Sequence, residues 1–188
     1  MPFRIRQSEK GDFETLWRID QACFDAQLAY SRPELAFYMR RASAFTLVAA
    51  DEETRGPGNG APATRGESLR ETNPGSARSV VPKVSGSKVV AAKIKGFIVA
   101  EKVRQTGHII TIDVVEEARR LGVGSALLAA AEDRLRESGA VTVELETAVN
   151  NGPAIRFYKR QGYFVERTVR GYYSNQLDAL VMGKALAS

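Results

Sequence analysis

The sequence predicts an α/β (α+β) domain: a mixed central sheet of six to seven strands with about four helices on its faces. Three observations point there. Apolar runs of strand length, several of them alternating, recur along the chain. Four stretches with helical spacing carry their own start or stop signals. Residues 108–138 read as strand, glycine-containing loop and helix in direct succession. At 188 residues, 44% hydrophobic and 26% charged, a single domain spanning 1–188 can bury a good core.

Phe3 to Arg6 is the first strand. Gly11-Asp12 opens a helix, with Asp12 as its cap and Phe13, Leu16, Trp17, Ile19 and Cys23 as its apolar positions. Cys23 has no base paired with it by any recognisable pattern and reads as a small core residue. Residues 25–32 form a loop that carries Tyr30. Ser31-Arg32-Pro33-Glu34 is a capping box with a first-turn proline, so a second helix runs from there to about Ala42. Phe45 to Ala50 is a strand. From Glu52 to about Lys88 the chain turns to Gly, Pro, Ser, Thr and charge, too little apolar surface to order itself. A disordered insertion at 52–88 is the expectation.

Val90 to Val103 and His108 to Val115 make a hairpin around Arg104-Gln105-Thr106-Gly107. His108 could serve as a base, but at the mouth of a strand after a glycine turn it reads first as structural. Val123 to Ser138 is a helix with Leu127, Leu128, Ala131 and Leu135 on one side, stopped by Gly139. Val141 to Glu146 alternates, turning Val141, Val143 and Leu145 to one face and Glu144 and Glu146 to the other. Asn150-Asn151-Gly152-Pro153 starts a helix with an Asn cap and an early proline, and Gly162 ends it. Tyr163 to Val169 and Leu177 to Leu186 are the last strands, joined by a loop that holds Tyr172 and Tyr173.

Arg119-Arg120-Leu121-Gly122-Val123-Gly124 puts backbone N–H groups and two cations at a helix N-terminus, an arrangement that suits phosphate. Two glycines without Cβ let an anion come close. The spacing is neither a P-loop, which needs Gly-Lys-Ser/Thr, nor the dinucleotide Gly-x-Gly-x-x-Gly. A nucleotide hydrolase is disfavoured on the same ground.

Arg119-x-x-Gly122-x-Gly124 resembles the pyrophosphate-binding motif of the GNAT N-acetyltransferases. Downstream, Asn151-x-x-Ala154-Ile155-x-Phe157-Tyr158-x-x-x-Gly162-Tyr163 is similar to the second signature of that family. Two motifs in the right order imply a single GNAT-type domain that uses acetyl-CoA. Leu145-Glu146 before the Asn, and the Tyr172-Tyr173 pair, make the chain look most like the bacterial ribosomal-protein-alanine N-acetyltransferases. Asp113 departs from the pattern, standing where a small apolar residue is common.

The resemblance implies roles. Backbone groups of Ile112, Asp113 and Val114 would pair with the pantetheine arm like an added strand. Arg119, Arg120, Leu121, Gly122, Val123, Gly124 and Ser125 would wrap the pyrophosphate, and Asn151 would hydrogen-bond the cofactor. Glu146 would be the base and Tyr158 the acid. Tyr30, Tyr172 and Tyr173 would line the acceptor site. The implied acceptor is a protein or peptide N-terminus, with a ribosomal protein as the named case. A lysine or small-molecule amine, or a non-catalytic acyl-CoA-binding module, are the alternatives. Neutralising an α-amine at pH 7 costs about 1–1.4 kcal/mol and a lysine about 4.6 kcal/mol, so a carboxylate acting through water suits the α-amine better.

Net charge is +5 and the pI about 9.5, which suits an anionic cofactor; no Lys/Arg run with interleaved aromatics suggests nucleic acid. No apolar stretch is long enough for a membrane span, and Met1 to Arg6 lacks the apolar core of a signal peptide. One Cys and one His make a metal site of those ligands improbable. The cytoplasm is the expected compartment.

Overall fold

Capping and alternation place the elements close to where the sequence puts them, in a computed structural model that describes residues 2–26, 28–51, 93–173 and 176–186. The insertion expected at 52–88 lies outside the described residues. Seven strands and four helices follow in the order β1 (Phe3–Gln7), α1 (Phe13–Cys23), α2 (Arg32–Arg40), β2 (Ala44–Asp51), β3 (Ile94–Val103), β4 (Thr106–Val114), α3 (Val123–Glu137), β5 (Thr142–Ala148), α4 (Gly152–Arg160), β6 (Phe164–Val169) and β7 (Ala179–Ala185). They form one mixed sheet in the order β1-β2-β3-β4-β5-β7-β6. Among the described residues no helix is long and apolar enough to cross a membrane.

Local chemistry explains most boundaries. Ser31 accepts from the Glu34 amide while the Glu34 carboxylate bonds back to Ser31, and a proline opens α2. Such a cap is worth about 1 kcal/mol. Asn151 caps α4 by accepting from the Ala154 amide at 3.2 Å. Gly139 and Gly162 end α3 and α4 in the left-handed region, at φ +89° each.

Several expectations shift, and Thr106 and Gly107 belong to β4 rather than to the turn before it while Tyr163 precedes β6. Asp12 does not cap α1 from its own side chain. Residues Lys10–Asp12 form a 3-10 turn, and the Asp12 carboxylate accepts from the Glu9 amide at 2.8 Å and from Arg6 at 2.7 Å. Helix α2 stops at Arg40 rather than near Ala42. Val141 lies before β5 and is 51% exposed, and the strand runs on past Glu146 to Ala148. Leu177 and Asp178 precede β7, and Asp178 accepts from the Gly171 amide to close the loop.

The core has two parts, one on each face of the sheet. α3 contributes Leu127, Leu128, Ala131 and Leu135 against Ile98, Ile109, Val143 and Leu145. α1 and α2 contribute Leu16, Ile19 and Leu35 against Val48, Phe97 and Val99. Glu132 of α3 ties that helix to the β7 end of the sheet. It accepts from Tyr163 Oη at 2.9 Å and from Lys184 Nζ of β7 at 2.6 Å.

One irregularity matters most. β4 pairs parallel with β5 only from Thr106–Thr142 to Ile109–Leu145. On its other side β4 stays paired to β3 as far as Val114, and β5 stays paired to β7 as far as Ala148. The register of β3 against β4 shifts where Val99 faces Thr111 and Ala100 faces Ile109, so Ile110 is the extra residue of a bulge. A bulge bends its strand and increases the local twist. The parallel pairing ends at that point, and the two strands splay.

Gly96 lies opposite Val114 at the splayed end, where an added Cβ would sit 2.5 Å from the Asp113 carbonyl oxygen. Backbone cannot yield as a side-chain tip can. Gly96→Ala is expected to destabilise the fold by about 1–3 kcal/mol, read as a lower urea midpoint.

Candidate active site

The splay opens a cleft of about 930 Å³ between the unpaired halves of β4 and β5, roofed by the start of α3 and by α4. Backbone groups of one strand residue point the same way, and Val115 N–H bonds Lys95 of β3. Val114 and Ile112 therefore turn their N–H and C=O groups into the cleft. The Val114 carbonyl accepts from Arg119 Nε at 3.1 Å and from Cys23 Sγ at 3.4 Å.

At the α3 end, Arg120 (φ +62°) and Gly122 (φ +82°) both adopt left-handed backbone. Nothing lies within 4 Å of where a Gly122 Cβ would be. The first helical bond runs from Ala126 N–H to Gly122 C=O, so the amides of Val123, Gly124 and Ser125 have no partner within the helix. Arg120, Arg156 and Arg160 line the same cleft. This is a cationic, donor-rich end that suits a diphosphate. The Leu121 side chain is 59% exposed and that of Val123 is in the core, so both serve this loop through backbone alone. Arg119 lines the cleft but spends its guanidinium on Val114 and Cys23. Asn151 lines it too, with its Oδ1 engaged by the α4 cap.

At the other end, Glu146 and Tyr158 line the cleft together. His108 Nε2 lies 2.7 Å from Glu146 Oε2. Burial alone would push the His108 ring down. The bond and charge of Glu146, with Glu101 and Glu144 beyond, outweigh it and hold His108 above the usual histidine range. Glu101 is itself buried and held by Arg41 and Ser43 at 2.9 Å each. Burial drives the Tyr158 phenol well above its ordinary value, with Asp113 and Tyr173 adding to the effect. Tyr158 therefore keeps its proton at any physiological pH.

Tyr30 and Tyr173 line the cleft on the α1–α2 face of the sheet. Tyr172 is half exposed and packs edge-on against Tyr173, with ring centroids 5.0 Å apart. Tyr30 packs similarly on Tyr38 at 5.2 Å. Among the described residues no three His, Cys, Asp or Glu side chains gather to hold a metal ion.

Sequence reasoning missed three features. It put His108 behind Glu146 without pairing them, although both stand at polar positions of strands that pair in parallel. It took Cys23 for core, and Cys23 does pack, half-buried, against the α1–α2 core, but it also lines the cleft. It placed Asp113 on the cleft strand without its depth. Asp113 is 1% exposed, and its Oδ1 has no hydrogen-bond partner.

Residues 61–163 match the model of the acetyltransferase (GNAT) family. The chain belongs to that family. A Sulfurisphaera tokodaii protein described as an N-alpha-acetyltransferase is 42% identical over 81 residues, 43% of this chain and 48% of that protein. The chain spans about half the length of the curated relatives it matches first. Ard1 from Thermoplasma volcanium superposes with a TM-score of 0.72 at 26% identity, each chain covered in full (100%). The ribosomal-protein-S18-alanine N-acetyltransferase from Escherichia coli gives a TM-score of 0.70 at 19% identity, covering 100% of this chain and 96% of that one. At that identity the likeness speaks for the GNAT fold alone.

Burial pushes the Asp113 carboxyl up to about 8, with Asp20 adding to it. An unfolded aspartate ionises near about 3.9. A proton held more tightly in the folded state stabilises below the unfolded value and is lost as pH rises through the folded one. Stability is therefore expected to fall between about pH 4 and pH 8. Asp113→Asn, which has nothing to ionise, is expected to lose less over that window, measured as melting temperatures at pH 5 and 8.5.

Proposed function

We propose that the protein is an acetyl-CoA-dependent N-acetyltransferase that transfers acetyl directly to the α-amine of a protein or peptide N-terminus. The observation that carries this reading is the cleft itself. One slot joins a donor-rich anion end to a His108–Glu146 pair and a protonated Tyr158. The relatives described as N-alpha-acetyltransferases support the same acceptor class.

The residues present fit acetyl-CoA. The N–H and C=O groups of Ile112, which face the cleft, would receive the pantetheine arm as an added strand. The amides of Val123, Gly124 and Ser125, with Arg120, would hold the diphosphate. When bound, acetyl-CoA supplies an activated acyl group and a thiolate leaving group. Glu146 takes the proton from the incoming amine, directly or through a water, and His108 orients its carboxylate. His108, a third exposed, gives that proton a route toward solvent. Tyr158, buried and protonated, donates to the departing thiolate. The Val114 N–H lies along the same strand edge, where it can polarise a carbonyl.

A ribosomal-protein alanine terminus is the finer acceptor within this class, supported by the resemblance carried by Leu145-Glu146 and Tyr172-Tyr173. The broader N-terminal class rests on more.

Thiol release from acetyl-CoA is the direct test, with peptides bearing a free N-terminal Ala, Ser or Met against blocked peptides that contain lysine. Turnover confined to free N-termini is expected. Turnover confined to the lysine set would move the function to side-chain acetylation, and none with either would leave a binding module. Glu146→Gln and Tyr158→Phe are each expected to lower kcat about 100-fold or more while acetyl-CoA affinity, read by calorimetry, stays within a few-fold.

A further inference from the structure

We propose that Arg156 and Arg160 of α4 form a second anion subsite, one that reads a phosphate monoester on the cofactor in addition to its diphosphate. The inference deepens the acetyl-CoA reading and rests on it. Coenzyme A carries such a group on the 3′ oxygen of its ribose, and dephospho-CoA is the same molecule without it. Neither arginine belongs to the motif that resembles the family. Both stand at variable positions of Asn151-x-x-Ala154-Ile155-x-Phe157-Tyr158-x-x-x-Gly162-Tyr163.

The first anion site is made of backbone, the orphan amides at the start of α3 with Arg120 beside them. The start of α4 is different. The Gly152 amide bonds the Asn150 carbonyl at 2.9 Å, and the Ala154 amide is taken by Asn151 Oδ1 at 3.2 Å. Between them Pro153 has no N–H at all. This helix start therefore has no backbone donor left for an anion. What α4 brings to the cleft is side-chain charge.

That charge is unmatched. Arg156 and Arg160 both line the cleft, one helical turn apart on the same face of α4. Among the described residues neither makes a hydrogen bond or an ion pair. Other cations of the chain do meet carboxylates, as Arg6, Arg32, Arg41 and Lys184 show. Like charges at this spacing on one helix repel. The place of Arg156 adds to the cost. Its Nη1 lies 3.1 Å from where a Gly152 Cβ would stand, so the guanidinium is drawn back over the first turn of α4. That end of a helix is already partly positive and disfavours a cation.

A dianion between the two arginines removes both penalties. A phosphate monoester carries about −1.5 to −2 charges near pH 7. Guanidinium groups match its oxygens in paired hydrogen bonds. The two subsites are also tied together: Gln161, just past Arg160, donates to Ser125 Oγ at the start of α3 at 3.1 Å. The consequence is discrimination between the phosphorylated cofactor and its dephospho form.

Calorimetry on the full chain tests this without any turnover, with CoA, dephospho-CoA, ADP and the 3′-phosphate of ADP as probes. The wild type is expected to bind CoA about 10–100-fold more tightly than dephospho-CoA, and the ADP pair by a similar ratio. With Arg156→Gln and Arg160→Gln combined, both ratios are expected to fall to within about twofold of unity while dephospho-CoA affinity is kept. Arg120→Gln is expected to weaken both members of each pair and leave the ratio. A wild-type ratio near unity would overturn the subsite, and so would a double variant that weakens both forms alike. Both arginines are exposed, so the variants are expected to melt with the wild type. Should the double variant not fold, the single variants are read in the same way, each lowering the ratio about threefold or more. Binding of neither CoA form would sink the cofactor reading and the subsite with it, whereas equal binding of both sinks the subsite alone.

Discussion

The structure depends on a missing row of hydrogen bonds. Sheets gain by pairing every edge, and an unpaired interior edge leaves strong donors and acceptors without partners. Here β4 and β5 give up that pairing after Ile109 and Leu145, because Ile110 is one residue too many for the β3 register. The edges left open are both held from outside, by β3 and by β7, so they stay in place. What results is half of a sheet contact, waiting for an extended polar chain of another kind. The orphan amides at the start of α3 and the paired His108 and Glu146 are then brought to opposite ends of one slot.

Charge follows the same division. The basic residues around the cleft gather near the α3 and α4 end, as Arg120, Arg156 and Arg160. The acidic ones gather toward the other face, as Glu146, Glu144 and Glu101 around His108. An anionic donor and a cationic amine would each meet the opposite sign. Net charge alone, at +5, conceals that division.

Much of the fold was legible because it is local. The α2 capping box, the glycine ends of α3 and α4 and the alternation of β5 are read from a few neighbouring residues. The anion loop was legible for the same reason: two glycines and two arginines at a strand-to-helix junction. The boundaries that moved, at Val141 and Leu177, are set by pairing with distant strands, which no short window contains. The site was legible in its residues but not in its contacts. His108 and Glu146 are 38 positions apart and meet only because β4 and β5 run parallel. Asp113 looked like a strand residue beside the cleft. Its burial toward α1 depends on the parity change at Ile110, and a bulge leaves no mark in composition.

Glu132 gives the cleft a property of its own. Four rungs of parallel pairing would be a weak hinge between the two halves of the sheet. The bonds that Glu132 accepts from Tyr163 and Lys184 span that joint through α3. Those bonds link β7 to the helix that packs on β3 and β4, so they resist movement of the two halves of the sheet against each other. A rigid receptor of this kind loses little chain entropy when it is filled, and its selectivity comes from fit more than from folding around a guest.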